Sequence, residues 1–95
     1  MTYKLKFIPT AQKEWDKLDR ATQLQFKKKL AERLKNPHVL ADKLRGFESV
    51  YKIKLRSAGY RLVYEVDDDV ITLLVIVVGK RNREAVYRKM RRRLN

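Results

Sequence analysis

The chain has 95 residues, of which 24 are Lys or Arg and 11 are Asp or Glu, so its formal net charge is +13 at pH 7. That excess indicates an anionic partner: nucleic acid, an acidic protein or an anionic membrane surface. The absence of cysteine excludes a disulfide framework and thiolate chemistry, and a single histidine argues against zinc. No apolar run is long enough to span a membrane, and the N-terminus lacks the apolar segment of a signal peptide. We therefore expect a cytoplasmic protein with one domain over residues 1–95.

The first strand and helix are predicted from the pattern at the N-terminus. Residues 3–8 alternate apolar and polar side chains, which is typical of a strand with one buried face. Pro9 ends that strand because it has no backbone N–H to donate. Thr10 is then a candidate N-cap for a helix over about residues 11–20.

A second helix follows the first. Thr22 and Gln25 have the spacing of a capping box, which predicts its start. Asn36-Pro37 ends it, because proline cannot continue a helix. Three apolar residues at helical spacing predict its buried stripe: Phe26, Leu30 and Leu34.

Three consecutive lysines cover much of the outer face of this second helix: Lys27, Lys28 and Lys29. Such a charge run is more often a solvated helix face than a binding site. The alternative is a surface that binds RNA phosphates, and both interpretations stay open.

The most informative stretch is residues 51–66, which predicts a β-hairpin with one cationic face. In its first arm Ile53 and Leu55 share a face, and the opposite face carries Lys52, Lys54 and Arg56. Gly59 is expected to take the positive φ that a short turn needs. Cations on alternate strand positions lie roughly 6–7 Å apart and repel one another. The row is therefore suited to a polyanion.

The remaining segments predict a buried strand and a terminal helix. Asp67-Asp68-Asp69 indicates a tight turn. Residues 70–78 are apolar on both faces, which places that strand inside the sheet with cover above and below. Gly79 is expected to end it, and a helix begins at about Glu84 with an apolar stripe of Val86, Met90 and Leu94. The element order predicts an α+β fold, a small mostly antiparallel sheet with two N-terminal helices and a C-terminal helix.

The usual catalytic and metal sites are not indicated. A lone loop histidine such as His38 is more often a surface residue than a catalytic one. The aspartates of residues 67–69 are more often solvated turn residues than ligands of a divalent metal. We therefore expect no metal and no cofactor.

The cationic row suggests one reaction, cleavage of RNA by attack of its own 2′-OH on the adjacent phosphate. That reaction needs a proton acceptor and a cation that stabilises the charge on the phosphorane. Neighbouring cations lower the pKa of a lysine, which makes a lysine of the row a candidate base. Arg61 and Arg81 are candidates for holding the phosphate, because arginine does not deprotonate. The residues alone favour simple RNA binding, or a solvated sheet face, over catalysis.

Five segments of the chain carry a family resemblance: residues 42–46 (DKLRG), 51–57 (YKIKLRS), 59–64 (GYRLVY), 78–81 (VGKR) and 86–87 (VY). Together they resemble the RelE toxins of bacterial type II toxin–antitoxin pairs. The similarity runs over essentially the whole chain in the same element order. It implies the RelE/ParE-like, microbial-RNase-like fold and a single toxin domain over residues 1–95.

The resemblance implies a ribosome-dependent endoribonuclease that enters the ribosomal A site and cuts mRNA there, which inhibits translation. Attack by the 2′-OH leaves a 2′,3′-cyclic phosphate and a 5′-OH. By position, Lys52 and Lys54 match the lysines of the family's active site, with Lys54 the favoured general base. Arg61 matches the phosphate-stabilising arginine, and Arg81 the residue that stabilises the leaving group. Tyr87 matches the tyrosine that stacks on the mRNA base.

The resemblance also implies further contacts and a partner. Arg45 and Arg56 match neighbouring RNA contacts, and both the lysine run of the second helix and the terminal arginines (residues 91–93) would bind ribosomal RNA. The partner is a RelB-like antitoxin in a toxin–antitoxin hetero-oligomer. The antitoxin would act either by covering the cationic face or by displacing the terminal helix that carries Tyr87.

Two alternatives and one structural condition stay open. A ParE-like toxin of the same fold inhibits DNA gyrase, and a non-catalytic protein would use the charge only to bind RNA or the ribosome. Arg61 shares its strand face with Val63 and Glu65. Whether it meets Lys54 depends on the register in which the two arms of the hairpin pair.

Overall fold

The computed structural model describes residues 2–80 and 85–94 and packs helices on both faces of a four-stranded sheet. The strands are β1 (Lys4–Phe7), β2 (Val50–Leu55), β3 (Tyr60–Asp67) and β4 (Thr72–Lys80). The helices are α1 (Pro9–Asp16), α2 (Arg20–Lys35) and α3 (Ala85–Leu94), with a short 3-10 turn at Leu40–Asp42. None of these helices is both long and apolar enough to cross a membrane. The predicted helix start at Glu84 and the candidate residue Arg81 lie outside the described residues.

Two of the three strand pairings are antiparallel, which confirms the prediction of an α+β fold with a mostly antiparallel sheet. The strand order is β1-β4-β3-β2. β2 pairs with β3 and β3 with β4 in the antiparallel sense, whereas β1 pairs with β4 in the parallel sense. The sheet is therefore mixed. Parallel neighbours need a long connection between them. Here α1, α2 and the β2–β3 hairpin lie between β1 and β4 in the chain and provide it.

β4 lies inside the sheet and is covered on both faces, as its apolar run predicts. On one face its side chains join a cluster with Trp15 of α1 and Phe26 of α2. On the other face they join Val86 and Met90 of α3. Both faces of β4 are therefore covered by helices, and burial of each apolar side chain there stabilises the fold by roughly 1.5–3 kcal/mol relative to exposure.

β4 begins and ends two residues later than the predicted range 70–78. The Asp67 carboxylate accepts hydrogen bonds from the backbone N–H groups of Asp69 (3.0 Å) and Val70 (3.4 Å). These bonds extend the turn and delay the strand. The prediction that Gly79 ends the strand was wrong, because Gly79 pairs with β3 inside β4.

Both predicted helix starts differ from the observed ones. α1 begins at Pro9, with Ile8 at the N-cap and no side-chain cap from Thr10. Proline suits the first helical position because its fixed φ is already helical. α2 begins after Asp19, whose carboxylate accepts hydrogen bonds from both the backbone N–H and the hydroxyl of Thr22. Thr22 is thus the partner of the cap rather than the cap itself.

A buried polar contact ties α2 to the back of the hairpin. The Tyr64 hydroxyl donates to the carbonyl of Pro37 at 2.8 Å and accepts from the Arg33 guanidinium at 2.9 Å. Arg33 also donates to the Lys52 carbonyl and forms an ion pair with Asp42. The contact therefore holds β2, β3 and the segment after α2 in one arrangement.

Replacing Tyr64 with phenylalanine tests this anchor. The ring stays, but the Pro37 carbonyl and an Arg33 N–H lose their partner, so the free energy of unfolding should fall by about 1–3 kcal/mol. Guanidinium denaturation followed by circular dichroism measures the change. Tyr60→Phe is the matched control, since the Tyr60 hydroxyl has no hydrogen bond to another described residue; its effect should stay below about 0.5 kcal/mol. Equal effects of the two substitutions would contradict the anchor.

Candidate active site

The pairing register of the hairpin brings the predicted cations together. Lys54 faces Arg61 across the β2–β3 pair, and Lys52 faces Val63. Directly opposed residues of an antiparallel pair point to the same side of the sheet. Arg61 therefore shares its face with Lys52 and Lys54. The alternation of side chains alone had not decided whether Arg61 and Lys54 would meet. Gly59 takes the expected positive φ of 70° in the turn between the two strands.

Tyr87 of α3 holds the Arg61 guanidinium. Arg61 Nη1 donates to the Tyr87 hydroxyl at 2.7 Å, and the guanidinium carbon lies 5.5 Å from the centre of the tyrosine ring. The buried Nε of Arg61 has no hydrogen-bond partner among the described residues. A guanidinium that a tyrosine holds in one place is suited to bind a phosphate oxygen.

Close packing of α3 on β4 makes this contact geometrically feasible. Gly79 faces Arg61 across the β3–β4 pair. A Cβ at Gly79 would lie 3.2 Å from Cγ2 of Val86, the residue before Tyr87. The absence of a side chain at Gly79 thus allows the first turn of α3 to lie against the strand and brings Tyr87 next to Arg61.

The pKa of Lys54 is lowered, as the row of neighbouring cations in the sequence predicts. The positive charge of Lys52 is the main cause that holds the pKa of Lys54 below its ordinary value, with partial desolvation and the charge of Arg61 next. Arg56 adds a smaller effect of the same sign on that pKa. A lowered pKa increases the fraction of neutral lysine, the form that accepts a proton.

A groove of about 400 Å³ runs between the loop before β2 and helix α3. It is lined by Leu44, Arg45, Phe47, Lys52, Arg61, Tyr87, Met90 and Arg91. A second hollow of about 240 Å³, on the other side of Arg61, is lined by Lys54, Leu55, Arg56, Tyr60 and Arg61. Arg61 borders both spaces. An apolar floor with a cationic rim suits a nucleobase and its flanking phosphates.

The groove contains Phe47, which the sequence did not single out, and Arg91, one of the terminal arginines predicted to bind RNA. Arg91 comes four residues after Tyr87, so it lies on the same side of α3 one turn later. That spacing was readable from the sequence. Phe47 had no such signal, since only the path of the loop places it beside α3.

Other sequence-derived candidates lie away from this site. Lys27, Lys28 and Lys29 are exposed on α2, which packs on the opposite face of the sheet. His38 also lies away from it, because its ring nitrogens contact the Tyr51 hydroxyl (2.9 Å) and Asp68 (3.0 Å). Tyr51 is packed in the cluster on the face opposite Lys52 and Lys54. Arg81 follows Lys80, the last residue of β4, and lies outside the described residues.

The chain matches one family model and several known proteins over most of its length. Residues 5–85 match the family model described as "ParE toxin of type II toxin-antitoxin system, parDE". The chain is 51% identical over 94 residues to "mRNA interferase toxin RelE" of Escherichia coli strain K12, covering 99% of both proteins. "mRNA interferase RelE" of Shigella flexneri matches with the same identity and coverage.

Solved structures match the fold over most or all of the chain. The E. coli toxin RelE in the free state, a double mutant, superposes with a TM-score of 0.92 at 48% identity and covers 100% of both chains. The toxin of the intact E. coli RelBE toxin–antitoxin complex gives a TM-score of 0.82 at 53% identity. That match covers 85% of this chain and 99% of the toxin.

The influence of Lys52 on Lys54 is testable in the free protein. Lys52→Met removes the nearest positive charge, so the pKa of Lys54 should rise toward the ordinary lysine value. Titration of the Lys54 13Cε signal by NMR measures this midpoint. Lys28→Met, on the far side of the sheet, should leave it unchanged. An unshifted Lys54 midpoint in the wild-type protein, or one that Lys52→Met does not move, would contradict the charge argument.

Proposed function

The chain belongs to the ParE/RelE family of type II toxins, and from that membership we propose that it is a ribosome-dependent endoribonuclease that cleaves mRNA in the ribosomal A site. The observation that carries the proposal is the position of Lys54 opposite Arg61, whose guanidinium also donates to Tyr87. A candidate base, a phosphate-binding cation and an aromatic ring thus lie side by side. Relatives at 51% identity over 94 residues are named mRNA interferases, in agreement with that chemistry.

The proposed reaction begins with proton transfer to Lys54. In its neutral form Lys54 accepts the proton of the 2′-OH, and the 2′ oxygen attacks the adjacent phosphorus. Arg61 stabilises the negative charge that develops on the non-bridging oxygens, since its position is fixed before the substrate arrives. The bond from phosphorus to the 5′ oxygen then breaks, which leaves a 2′,3′-cyclic phosphate, and the 5′ oxygen takes a proton from solvent water to become a 5′-OH. Arg81 is assigned to the leaving group by resemblance.

The ribosome supplies what this site lacks. Among the described residues, the cationic face offers no histidine–carboxylate pair for acid–base catalysis. Glu65 shares the face, but it lies opposite Val50, four strand positions and roughly 13 Å from Arg61. Catalysis therefore depends on holding the mRNA in line for attack, and positioning of this kind lowers a barrier by several kcal/mol. Arg45, Arg56 and the lysine run of α2 (residues 27–29) are assigned to RNA contacts.

The proposed partner is a RelB-like antitoxin in a toxin–antitoxin hetero-oligomer. The E. coli relative has been solved both in the intact RelBE complex and with a peptide of the antitoxin RelB. A net charge of +13 favours an acidic partner segment. Because the proposed substrate is mRNA under translation, we place the protein in the cytoplasm.

Inhibition of DNA gyrase is the second candidate function. The observation that favours it is the family model, whose description names the ParE toxin. The two functions differ in their substrate, so one purified protein tested in two assays separates them.

Primer extension on mRNA in a translating extract tests the proposed function. The wild-type protein should produce stops at codon positions of translated mRNA and almost none on naked RNA. Lys54→Ala should lower cleavage by about 10²- to 10⁴-fold, as expected for the loss of a general base. Arg61→Ala should lower it by about 10²- to 10³-fold, as expected for the loss of a charge-stabilising donor. Lys13→Ala, on exposed α1 surface, is the matched control and should cleave at the wild-type rate.

Three results would overturn the proposal. Equal cleavage of naked and translated RNA would remove the ribosome from the mechanism. Inhibition of gyrase supercoiling with mRNA left intact would establish the second candidate instead. Retention of full cleavage by both Lys54→Ala and Arg61→Ala would mean that the reaction does not use this face.

The position of Arg91 in the groove leads to a separate prediction. Arg91→Gln removes a cation that lines the groove, so it should raise KM for the ribosome–mRNA complex by about fivefold, the effect of roughly 1 kcal/mol. Arg92→Gln removes the same charge from the neighbouring exposed position, which does not line the groove. Steady-state cleavage of a programmed ribosome measures both. Equal KM values for the two variants would show that only the overall charge of the helix matters.

A further inference from the structure

A second ion pair anchors α3 near its C-terminal end. Arg93 Nη1 donates to Oε1 of Glu14 at 2.9 Å, and Nη2 donates to Oε2 at 3.1 Å. The two parallel bonds make a bidentate pair, the geometry in which arginine and carboxylate bind best. Only 20% of the Arg93 side chain and 18% of the Glu14 side chain are exposed. This pair links α1 to α3 across 79 positions of sequence.

The same two side chains cover an unpaired edge of β4. β1 pairs with β4 only as far as Val75, so beyond that residue the outer edge of β4 has no strand partner among the residues that the structure describes. Glu14 Oε1 accepts the backbone N–H of Val78 at 3.1 Å, and Arg93 Nη1 donates to the carbonyl of Ile76 at 2.7 Å. Ile76 is the extra residue at the irregularity in the β3–β4 register. The edge is thus closed by side chains from two helices.

The contacts of Glu14 also set its charge. Burial would raise the pKa of the Glu14 carboxyl, but hydrogen bonds from Arg93 and from the Val78 N–H outweigh it, so the pKa lies below its ordinary value. Lys89 approaches Glu14 at 3.4 Å from an exposed position, where an ion pair contributes little. The pair with Arg93 is therefore the contact that matters for the position of α3.

α3 depends on such contacts for its orientation. It has ten residues, which is too short for a stable isolated helix in water. Val86 and Met90 attach its apolar stripe to the sheet, but an apolar contact allows sliding and rotation. Arg93 comes six residues after Tyr87, roughly 9 Å further along the helix axis. Anchoring Arg93 thus fixes where the Tyr87 hydroxyl lies relative to Arg61.

From this geometry we propose that Glu14 is a positioning residue of the ribonuclease site: through Arg93 it holds α3 in the one placement that lets Tyr87 bind Arg61. The inference rests on the proposed function for its effect on catalysis. The structural part is independent of it, because the contact between Tyr87 and Arg61 is a contact within this chain. Glu14 acts from the other end of the helix and touches neither residue.

The test measures cleavage and the Tyr87–Arg61 contact in the same variants. Glu14→Gln and Arg93→Gln should each lower kcat on programmed ribosomes by about 10- to 100-fold, the cost of a misplacement near 1 Å, with KM within about threefold. Arg93→Lys should retain part of the activity, since one charged donor remains. Lys89→Gln, which removes only the exposed neighbour of Glu14, should match the wild type.

Epistasis separates positioning from general destabilisation. In a Tyr87→Ala background, Glu14→Gln should cause no further loss of kcat, because the group it positions is gone. A full additional loss in that background would overturn the proposal, and so would wild-type kcat in Glu14→Gln alone. All assays are run at a temperature where thermal melts show each variant folded.

NMR of the free protein gives the readout that does not need cleavage. Nuclear Overhauser contacts between the Tyr87 ring and the Arg61 side chain should be present in the wild type and in Lys89→Gln, and weakened in Glu14→Gln and Arg93→Gln. Unchanged contacts in Glu14→Gln would overturn the positioning role whatever the enzyme's activity. If those contacts weaken while wild-type protein fails to cleave mRNA, the proposed function is wrong and the positioning role stands.

Discussion

The candidate site depends on the register in which β2 pairs with β3. That register puts Lys54 directly opposite Arg61 with Lys52 on the same face, an arrangement that electrostatic repulsion opposes. It is stabilised from the other side of the sheet, where Ile53 and Leu62 face each other in the apolar core. A slip by one residue would turn every side chain of a strand to the opposite face. Burial of one face therefore keeps the cations together on the other.

α3 completes the arrangement, and contacts at both of its ends hold it in place. Tyr87 is bound to Arg61 at one end of the helix, and Arg93 is bound to Glu14 at the other. Val86 and Met90 are the fully buried side chains that attach the described part of the helix to the sheet. A site built this way has one half on the hairpin and the other half on a short helix. The chemistry requires both, since a base and a phosphate-binding cation without an oriented substrate gain little.

The sequence allowed much of the fold to be predicted, and much less of the site. Alternation alone assigned both faces of the hairpin, and the apolar run at residues 70–78 predicted a covered central strand. Three features lay beyond such patterns. The parallel pairing of β1 depends on contacts distant in sequence, the start of α2 depends on Asp19 rather than Thr22, and the Glu14 contact joins residues far apart in the chain. The roles of the site residues came from family resemblance and remain proposals.

The central claim is that Lys54, with a pKa lowered by its neighbours, takes the proton of the attacking 2′-OH. The pH dependence of single-turnover cleavage on programmed ribosomes tests it most directly. The rate should rise about tenfold per pH unit while Lys54 is mostly protonated and level off as it becomes neutral. Loss of this dependence in Lys54→Ala would support the claim. A wild-type rate independent of pH over the range in which ribosomes stay intact would contradict it.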